Sequence, residues 1–203
     1  MKIICIGRNY ADHAKELGNE IPEEPVIFMK PKSALLQAHT PFYYPEFTNE
    51  LHYEGELVLR ISKNGKYIQE RHAANYYNGI TVGIDFTARD IQEECKKKGL
   101  PWEKAKAFDN SAAVGKFIDI KPDFKKANVN FSLKLNSKEV QKGNSGEMLF
   151  NFDSIIAHIS NYFSLNIGDL IFTGTPAGVG ECVVGDMLEV FLEDESLLSV
   201  EVK

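Results

Sequence analysis

Eight short runs rich in Val, Ile, Phe and Tyr recur along the chain, at residues 2–6, 25–29, 52–61, 80–86, 129–135, 170–173, 187–192 and 198–202. Each has strand length and composition, and Gly185-Asp186 supplies a turn before the seventh. Asn64-Gly65 reads as a tight turn that closes the third run. Helical signals are fewer. Residues 10–17 end at Gly18 and residues 88–98 end at Gly99, each glycine placed as a left-handed C-cap. Between 154 and 163, Ile155, Ile156, Ile159, Tyr162 and Phe163 share one helical face, with Asp153 before them as the cap. Strands and helices do not alternate, which argues against a doubly wound parallel sheet. The reading is a β-rich α+β fold. No Pro/Gly/Ser-rich linker or repeat divides the 203 residues, so one catalytic domain over 1–203 is expected.

Charge narrows the function. Lys and Arg number 23 against 29 Asp and Glu, a formal charge of −6, so a broad nucleic-acid surface is not expected. A small anionic substrate remains compatible, because a metal or an Arg can reverse the field inside one cleft. The opening apolar stretch from Ile3 to Ile6 is far too short to span a membrane or to form a signal-peptide core. The three cysteines, Cys5, Cys95 and Cys182, form no CxxC pair and point to neither a disulfide framework nor a zinc site. A reducing, cytoplasmic setting is the expectation.

Several segments carry groups capable of chemistry. In His52-Tyr53-Glu54-Gly55-Glu56-Leu57-Val58, a continuous strand projects Glu54 and Glu56 from one face with Cβ atoms roughly 7 Å apart. A hard divalent cation relieves the repulsion of such a pair; a solvated strand face is the alternative. Asp85 ends the next apolar run, where it is either a site carboxylate or, with Thr87, the cap of the following helix. Gln92 and Lys96 lie further along that helix and can face back toward Asp85. His13 and Glu16 stand at i, i+3, where a carboxylate orients an imidazole acting as general base, or where both form an ordinary surface pair. Cys95 lies among residues of both signs with no evident base and reads as structural. Thr173-Gly174-Thr175-Pro176-Ala177-Gly178-Val179-Gly180 offers hydroxyls and backbone N–H groups to an anion, but lacks the P-loop lysine. Lys106 either neutralises a carboxylate or is solvated.

Taken in order, Gly7–His13 (GRNYADH), Pro25–Pro31 (PVIFMKP), His52–Leu57 (HYEGEL), Asp85–Trp102 (DFTARDIQEECKKKGLPW) and Thr173–Gly180 (TGTPAGVG) resemble the fumarylacetoacetate hydrolase family, in its short acylpyruvase and oxaloacetate decarboxylase branch. The resemblance runs over nearly the whole chain. It implies a mixed β-sandwich roll, a homodimer, and Mg²⁺ or Mn²⁺ held by Glu54, Glu56 and Asp85. It also implies a catalytic His13–Glu16 dyad on a segment that orders over the substrate, over residues 10–18 and 19–24. Lys106 is implied as a further catalytic group, and Arg8, Arg89, Gln92 and Thr175 as substrate- or oxyanion-contacting residues.

The implied reaction is hydrolysis of the C–C bond of an acylpyruvate through a metal-chelated enolate, with His13 activating water and Glu16 holding the imidazolium. The same site is also compatible with oxaloacetate decarboxylation, or with tautomerisation of a 2-oxo or 2-hydroxydienoate acid. Two departures bear on substrate choice. Many relatives continue after the matching lysine with Ser-Phe and a Cys-Pro pair, where this chain has Ala107-Phe108 and Ala112-Ala113, removing one hydroxyl contact. The extra N-terminal domain of the larger fumarylacetoacetases is not matched, which makes fumarylacetoacetate itself a poor substrate candidate.

Overall fold

The structure is a computed structural model that describes residues 1–16, 20–120 and 128–203, with only the backbone described for 13–15. Its frame is a seven-stranded sheet in which β2 (Val26–Lys30), β1 (Ile3–Gly7), β11 (Leu170–Phe172), β4 (Gly55–Ile61), β5 (Tyr77–Asp85) and β7 (Ala112–Val114) lie side by side. A short β8 (Ile118–Asp119) adds to β5. Among the described residues, only β1 and β11 run parallel within this sheet; the other pairs are antiparallel. A second, antiparallel sheet orders β10 (Lys138–Asn144), β9 (Asn130–Leu135), β13 (Met187–Leu192) and β14 (Glu195–Glu201). A small third sheet joins β12 (Gly180–Glu181), β3 (Leu51–Tyr53) and β6 (Thr87–Ala88).

Strand alternation gives the large sheet two different faces. Ile4, Ile6, Leu57, Leu59, Val82, Ile84 and Ile171 point one way and meet Phe131, Leu133, Leu188 and Val190 of the second sheet in the main core. The opposite face carries a smaller apolar cluster of Ile3, Cys5, Val58, Ala112, Leu170 and Phe172. By the same parity, Lys30, Glu56 and Asp85 belong to this second face. That parity decides where the chemistry sits, because slipping either strand by one residue would drive its carboxylate into the main core.

Helices are short and few. After α1 (Ala11–Glu16) and α2 (Glu70–Ala73) come α3 (Arg89–Lys98), α4 (Glu103–Lys106) and α5 (Phe152–Tyr162). Gly99 ends α3 at φ 62°, its N–H reaching back to the Cys95 and Lys96 carbonyls, as its position predicts. The expected cap Gly18 lies outside the described residues.

Four local expectations are corrected. Residues 52–61 are not one strand: the chain leaves β3 at Glu54 and enters another sheet as β4. At the break the Gly55 N–H donates to Gln141 Oε1 at 2.8 Å, and a Cβ at Gly55 would meet that oxygen and a Leu133 methyl at 3.1 Å. Asn64-Gly65 is not a hairpin turn; Gly65 exchanges both backbone hydrogen bonds with Leu165. It must be glycine because a Cβ would stand 2.4 Å from the Tyr76 ring. On α5 the cap is Asn151, whose Oδ1 accepts the Ser154 N–H at 2.9 Å, and Asp153 instead takes the Tyr77 hydroxyl. Finally Tyr162 points outward, 57% exposed, while Ile155, Ile156 and Ile159 are buried as expected.

Candidate metal centre and substrate pocket

The break at Glu54 is what assembles the site. Gly55 pairs with Ile84 and Glu56 with Gly83, and the Asp85 N–H donates to the Glu54 carbonyl at 2.9 Å. Glu54, Glu56 and Asp85 therefore end adjacent strands at one place. Each offers a carboxylate oxygen within 4.8 Å of the others, and all three are buried. Gly83, opposite Glu56, has no room for a side chain: a Cβ would lie 2.8 Å from Phe172 and Val58. Asp85 is not a helix cap. Position Ala88 caps α3 without any side-chain hydrogen bond, and Thr87 turns its hydroxyl to Lys106.

Three cations surround the triad. Lys106 Nζ, on α4, reaches Glu54 Oε2 at 2.7 Å, Asp85 Oδ2 at 2.8 Å and Thr87 Oγ1 at 2.6 Å. Arg89, at the start of α3, donates to Glu54 Oε1 at 2.6 Å and to Gln92 Oε1 at 2.5 Å. Lys30 stands 2.7 Å from Asp85 Oδ1, and its ammonium also donates to the Ser111 hydroxyl at 3.0 Å and to the Lys106 carbonyl. Burial works against the Lys106 ammonium, yet the charges of Asp85 and then Glu54 outweigh it and raise its pKa. It stays protonated and acts as a donor, not a base.

Glu56 differs from its neighbours. Among the described residues it makes no ion pair, and its Oε2 accepts only the Gly174 N–H, at 2.7 Å. Burial first, and then the charge of Asp85, pushes its pKa well above the usual carboxylate value. Asp85 Oδ1 is also left without a well-formed hydrogen bond. Three hard oxygen donors thus converge at one point, with Glu56 the one of the three that no cation pairs among the described residues, and such a donor set fits a divalent cation. Among the described residues no other group of acidic, His or Cys side chains converges in this way.

The remaining expected residues are placed as follows. Gln92 is buried and held by Arg89. Thr175 is buried too, its hydroxyl donating to the Gly55 carbonyl and accepting from Gln141, each at 2.8 Å. Arg8 follows β1 in a left-handed conformation, φ 59°, and turns into the pocket. A non-glycine residue held there is the kind of local strain that clusters at functional sites. Glu16 is exposed, and both its carboxylate oxygens accept the Gly178 N–H at 3.2 Å, docking α1 on the Gly-rich turn. His13 lies in the same helix; its side chain, and the 17–19 part of the expected lid, lie outside the described residues.

Sequence reasoning missed the residues that hold the site in place. Lys30 ends an apolar strand, fully buried, and a lone lysine in such a run is a signal that was available. Asn9 is likewise buried, clamping the Thr173 carbonyl at 2.7 Å and the backbone of Phe150. Gly174 beside it has φ 103°, and a Cβ there would strike Asn9 at 2.6 Å. Gln141 secures the Gly55 N–H at 2.8 Å. His52 accepts from Arg89 Nε on Nδ1 at 3.3 Å, leaving its Nε2–H to donate to Glu50 at 3.0 Å.

Above the triad is a small cavity of about 40 Å³ that opens to solvent, walled by Phe28, Trp102, Gln92 and Thr175 and edged by Arg8 and Lys96. A larger concavity lies between α2 and α5, broad and open to water, away from the carboxylate cluster. Fold and pocket together define a β-rich roll built around a candidate divalent-metal centre.

Residues 2–203 match the family described as Fumarylacetoacetate (FAA) hydrolase C-terminal. The chain belongs to the fumarylacetoacetate hydrolase family, and its mixed roll is the fold of that family. It is 40% identical over 198 residues to an oxaloacetate tautomerase of Escherichia coli (strain K12), covering 97% of this chain and 90% of that one. A mitochondrial oxaloacetate tautomerase of Mus musculus is 40% identical over 201 residues, covering 99% and 91%. Among solved structures, a fumarylpyruvate hydrolase from Pseudomonas aeruginosa in complex with Mn²⁺ and pyruvate superposes with a TM-score of 0.93 at 34% identity, covering 100% of this chain and 89% of that one. No helix among the described residues is long and apolar enough to cross a membrane.

Proposed function

We propose that this chain is a divalent-metal-dependent enzyme of 2-oxo acids whose principal reaction is the keto–enol interconversion of oxaloacetate. The observation that carries the reading is the buried convergence of Glu54, Glu56 and Asp85 within 4.8 Å at the base of a cation-lined pocket. Near-full-length identity of 40% to oxaloacetate tautomerases supports the choice of reaction. It moves tautomerisation ahead of acylpyruvate hydrolysis, the reaction the sequence motifs favour first.

Glu54, Glu56 and Asp85 would hold the ion, which supplies Lewis-acid polarisation of a 2-oxo carboxylate. The protein does the rest. Arg89 and Gln92 orient the carboxylate of the substrate head. The Lys106 ammonium stabilises negative charge that grows on the 2-oxo oxygen as a C3 proton departs. His13 is the base for that C3 proton, and Glu16 anchors its helix on the Gly178 turn. Returning a proton to the 2-oxo oxygen completes the enol.

A second reading, hydrolysis of an acylpyruvate to a carboxylic acid and pyruvate, draws on that docking of the His13–Glu16 helix against the site's Gly-rich turn. It needs His13 to deprotonate a water in place of a C–H bond. Decarboxylation of oxaloacetate is a third outcome of the same head-group chemistry. Metal-stripped protein, reloaded with Mg²⁺ or Mn²⁺, is assayed on enol-oxaloacetate, oxaloacetate and acetylpyruvate. Metal-dependent enol–keto interconversion as the fastest of the three supports the leading reading; acetylpyruvate cleavage as the fastest reverses the order. No metal-dependent turnover of any of them would sink both.

A further inference from the structure

Helix α3 ends in three consecutive lysines that meet different fates. Lys97 pairs with Glu93 at 3.7 Å and Lys98 with Glu94 at 2.5 Å, each one turn back. The corresponding position for Lys96 is Gln92, which is neutral, buried and occupied by Arg89. Lys96 therefore makes no ion pair among the described residues. Its ammonium instead lies 5.9 Å from the centre of the Trp102 ring, at the edge of the pocket. Arg8 faces the same opening from the end of β1, again without an ion pair among the described residues, on a backbone held at φ 59°.

We propose that Lys96 and Arg8 form a subsite for the second carboxylate of a dicarboxylic 2-oxo acid, selecting such acids over uncharged 2-oxo acids of the same length. The proposal rests on the functional reading above and names what that reading leaves open, the group that recognises the substrate's far end. Two sets of cations divide the pocket. Arg89 and Lys106 are buried and engaged with the triad, where the 2-oxo acid head belongs. Lys96 is exposed and Arg8 half-buried, so their charge faces a group reaching out of the pocket. The partial covering of its ammonium, and then the like charges of Arg89 and Arg8, lower the pKa of Lys96. An arriving carboxylate relieves that repulsion, whereas an alkyl tail leaves it in place.

Trp102 is the only tryptophan in the chain and its ring lines the pocket, so its emission reports occupancy directly. The Mg²⁺-loaded protein is titrated with 2-oxoglutarate and with 2-oxopentanoate, acids of equal length with and without the distal carboxylate. The wild type should prefer 2-oxoglutarate, and Lys96→Met should shrink the ratio of the two affinities roughly three- to tenfold, the scale of a partly exposed ion pair. Lys96→Arg should restore the ratio, and Lys97→Met should leave it where it was. An undiminished ratio in Lys96→Met, or an equal drop in Lys97→Met, overturns the subsite. A wild type that turns over oxaloacetate but shows no preference also overturns it while sparing the functional reading. Absence of metal-dependent binding of either acid, together with absence of turnover, removes both.

Discussion

The floor and the rim of the pocket carry the same residue types under opposite conditions. On the floor, Lys30, Lys106 and Arg89 are each within 2.8 Å of a buried carboxylate oxygen and have no freedom left. On the rim, Lys96 and Arg8 make no ion pair among the described residues, while Glu16 docks a short helix on the Gly178 N–H. Buried charges demand fixed partners because an unpaired one costs several kcal/mol, so the floor is pre-organised for one head group. Exposed charges cost little unpaired, so the rim is where substrate preference can differ among related chains without endangering the fold. Chemistry and selectivity are thereby separated within a single cavity.

The sharpest way to break that contrast is to attack the floor. Glu56→Gln should lower metal-dependent turnover at least a thousandfold and abolish calorimetric Mg²⁺ or Mn²⁺ binding, while leaving the fold intact, because it removes an unpaired buried charge along with a ligand. Retained metal affinity in this variant would break the assignment of the triad. His13→Ala should reduce acylpyruvate hydrolysis by roughly 10²–10⁴-fold and oxaloacetate decarboxylation far less, since only hydrolysis needs an activated water. Equal losses would mean that His13 does something other than activate water, such as closing the site or moving the C3 proton of the enolate.

Lys30→Met tests whether the floor is a stability element in its own right. Removing one member of a buried pair should cost about 3–5 kcal/mol in urea unfolding of the metal-free protein. A loss below about 1 kcal/mol, the range of an exposed pair, would erase the distinction between floor and rim.

The raised pKa of Glu56 gives the contrast a pH dependence. A carboxyl whose folded pKa lies above its unfolded value stabilises the fold fully below the unfolded value, near 4.5, and loses that contribution as pH rises through the folded pKa. The metal-free protein should therefore lose stability as pH increases above about 4.5 through this group. A saturating divalent ion favours the ionised form, so the melting-temperature gain on adding Mg²⁺ should grow over the same interval. A gain independent of pH would remove Glu56 from the ligand set. The smallest effect is expected at His52, which reaches the site only through Arg89. His52→Leu should raise KM for oxaloacetate about two- to tenfold with little change in kcat. His52→Asn, whose Oδ1 replaces the Nδ1 acceptor, should recover most of it.

What the sequence disclosed follows from how local each feature is. Glu54, Glu56 and Asp85 stood out because alternation on a strand and a charge at a strand end are patterns within a few residues. The Gly99 cap and the inward face of α5 were legible for the same reason. Lys30 showed only as a lone lysine in an apolar run, because its partners Asp85 and Ser111 lie more than fifty positions away. Strand β10, Lys138–Asn144, escaped notice because Val140 is its only large apolar residue, with Gln141 and Gly143 as its buried members. The helix spacing lets Lys96 face Asp85 from α3, but its lack of an ion pair among the described residues emerges only once Gln92 is known to be claimed by Arg89. The break at Glu54 was hidden too, since Leu133 and Gln141, which pack against Gly55, lie far along the chain from it.

The parallel pairing of β1 with β11 has a consequence for synthesis. Ile3 sits beside Leu170, and β11 in turn separates β1 from β4. A ribosome emitting the chain from its N-terminus therefore releases the Arg8 segment long before the strand that seats it exists. Glu54, Glu56 and Asp85 can meet early through the β4–β5 hairpin, but the Gly174 N–H that holds Glu56 arrives only with the last quarter of the chain. Such long-range closure slows folding and leaves the edges of β1 and β4 open in the meantime. Nascent chains arrested before residue 170 should accordingly remain protease-sensitive around β1, and the pocket should close as a late event of biogenesis.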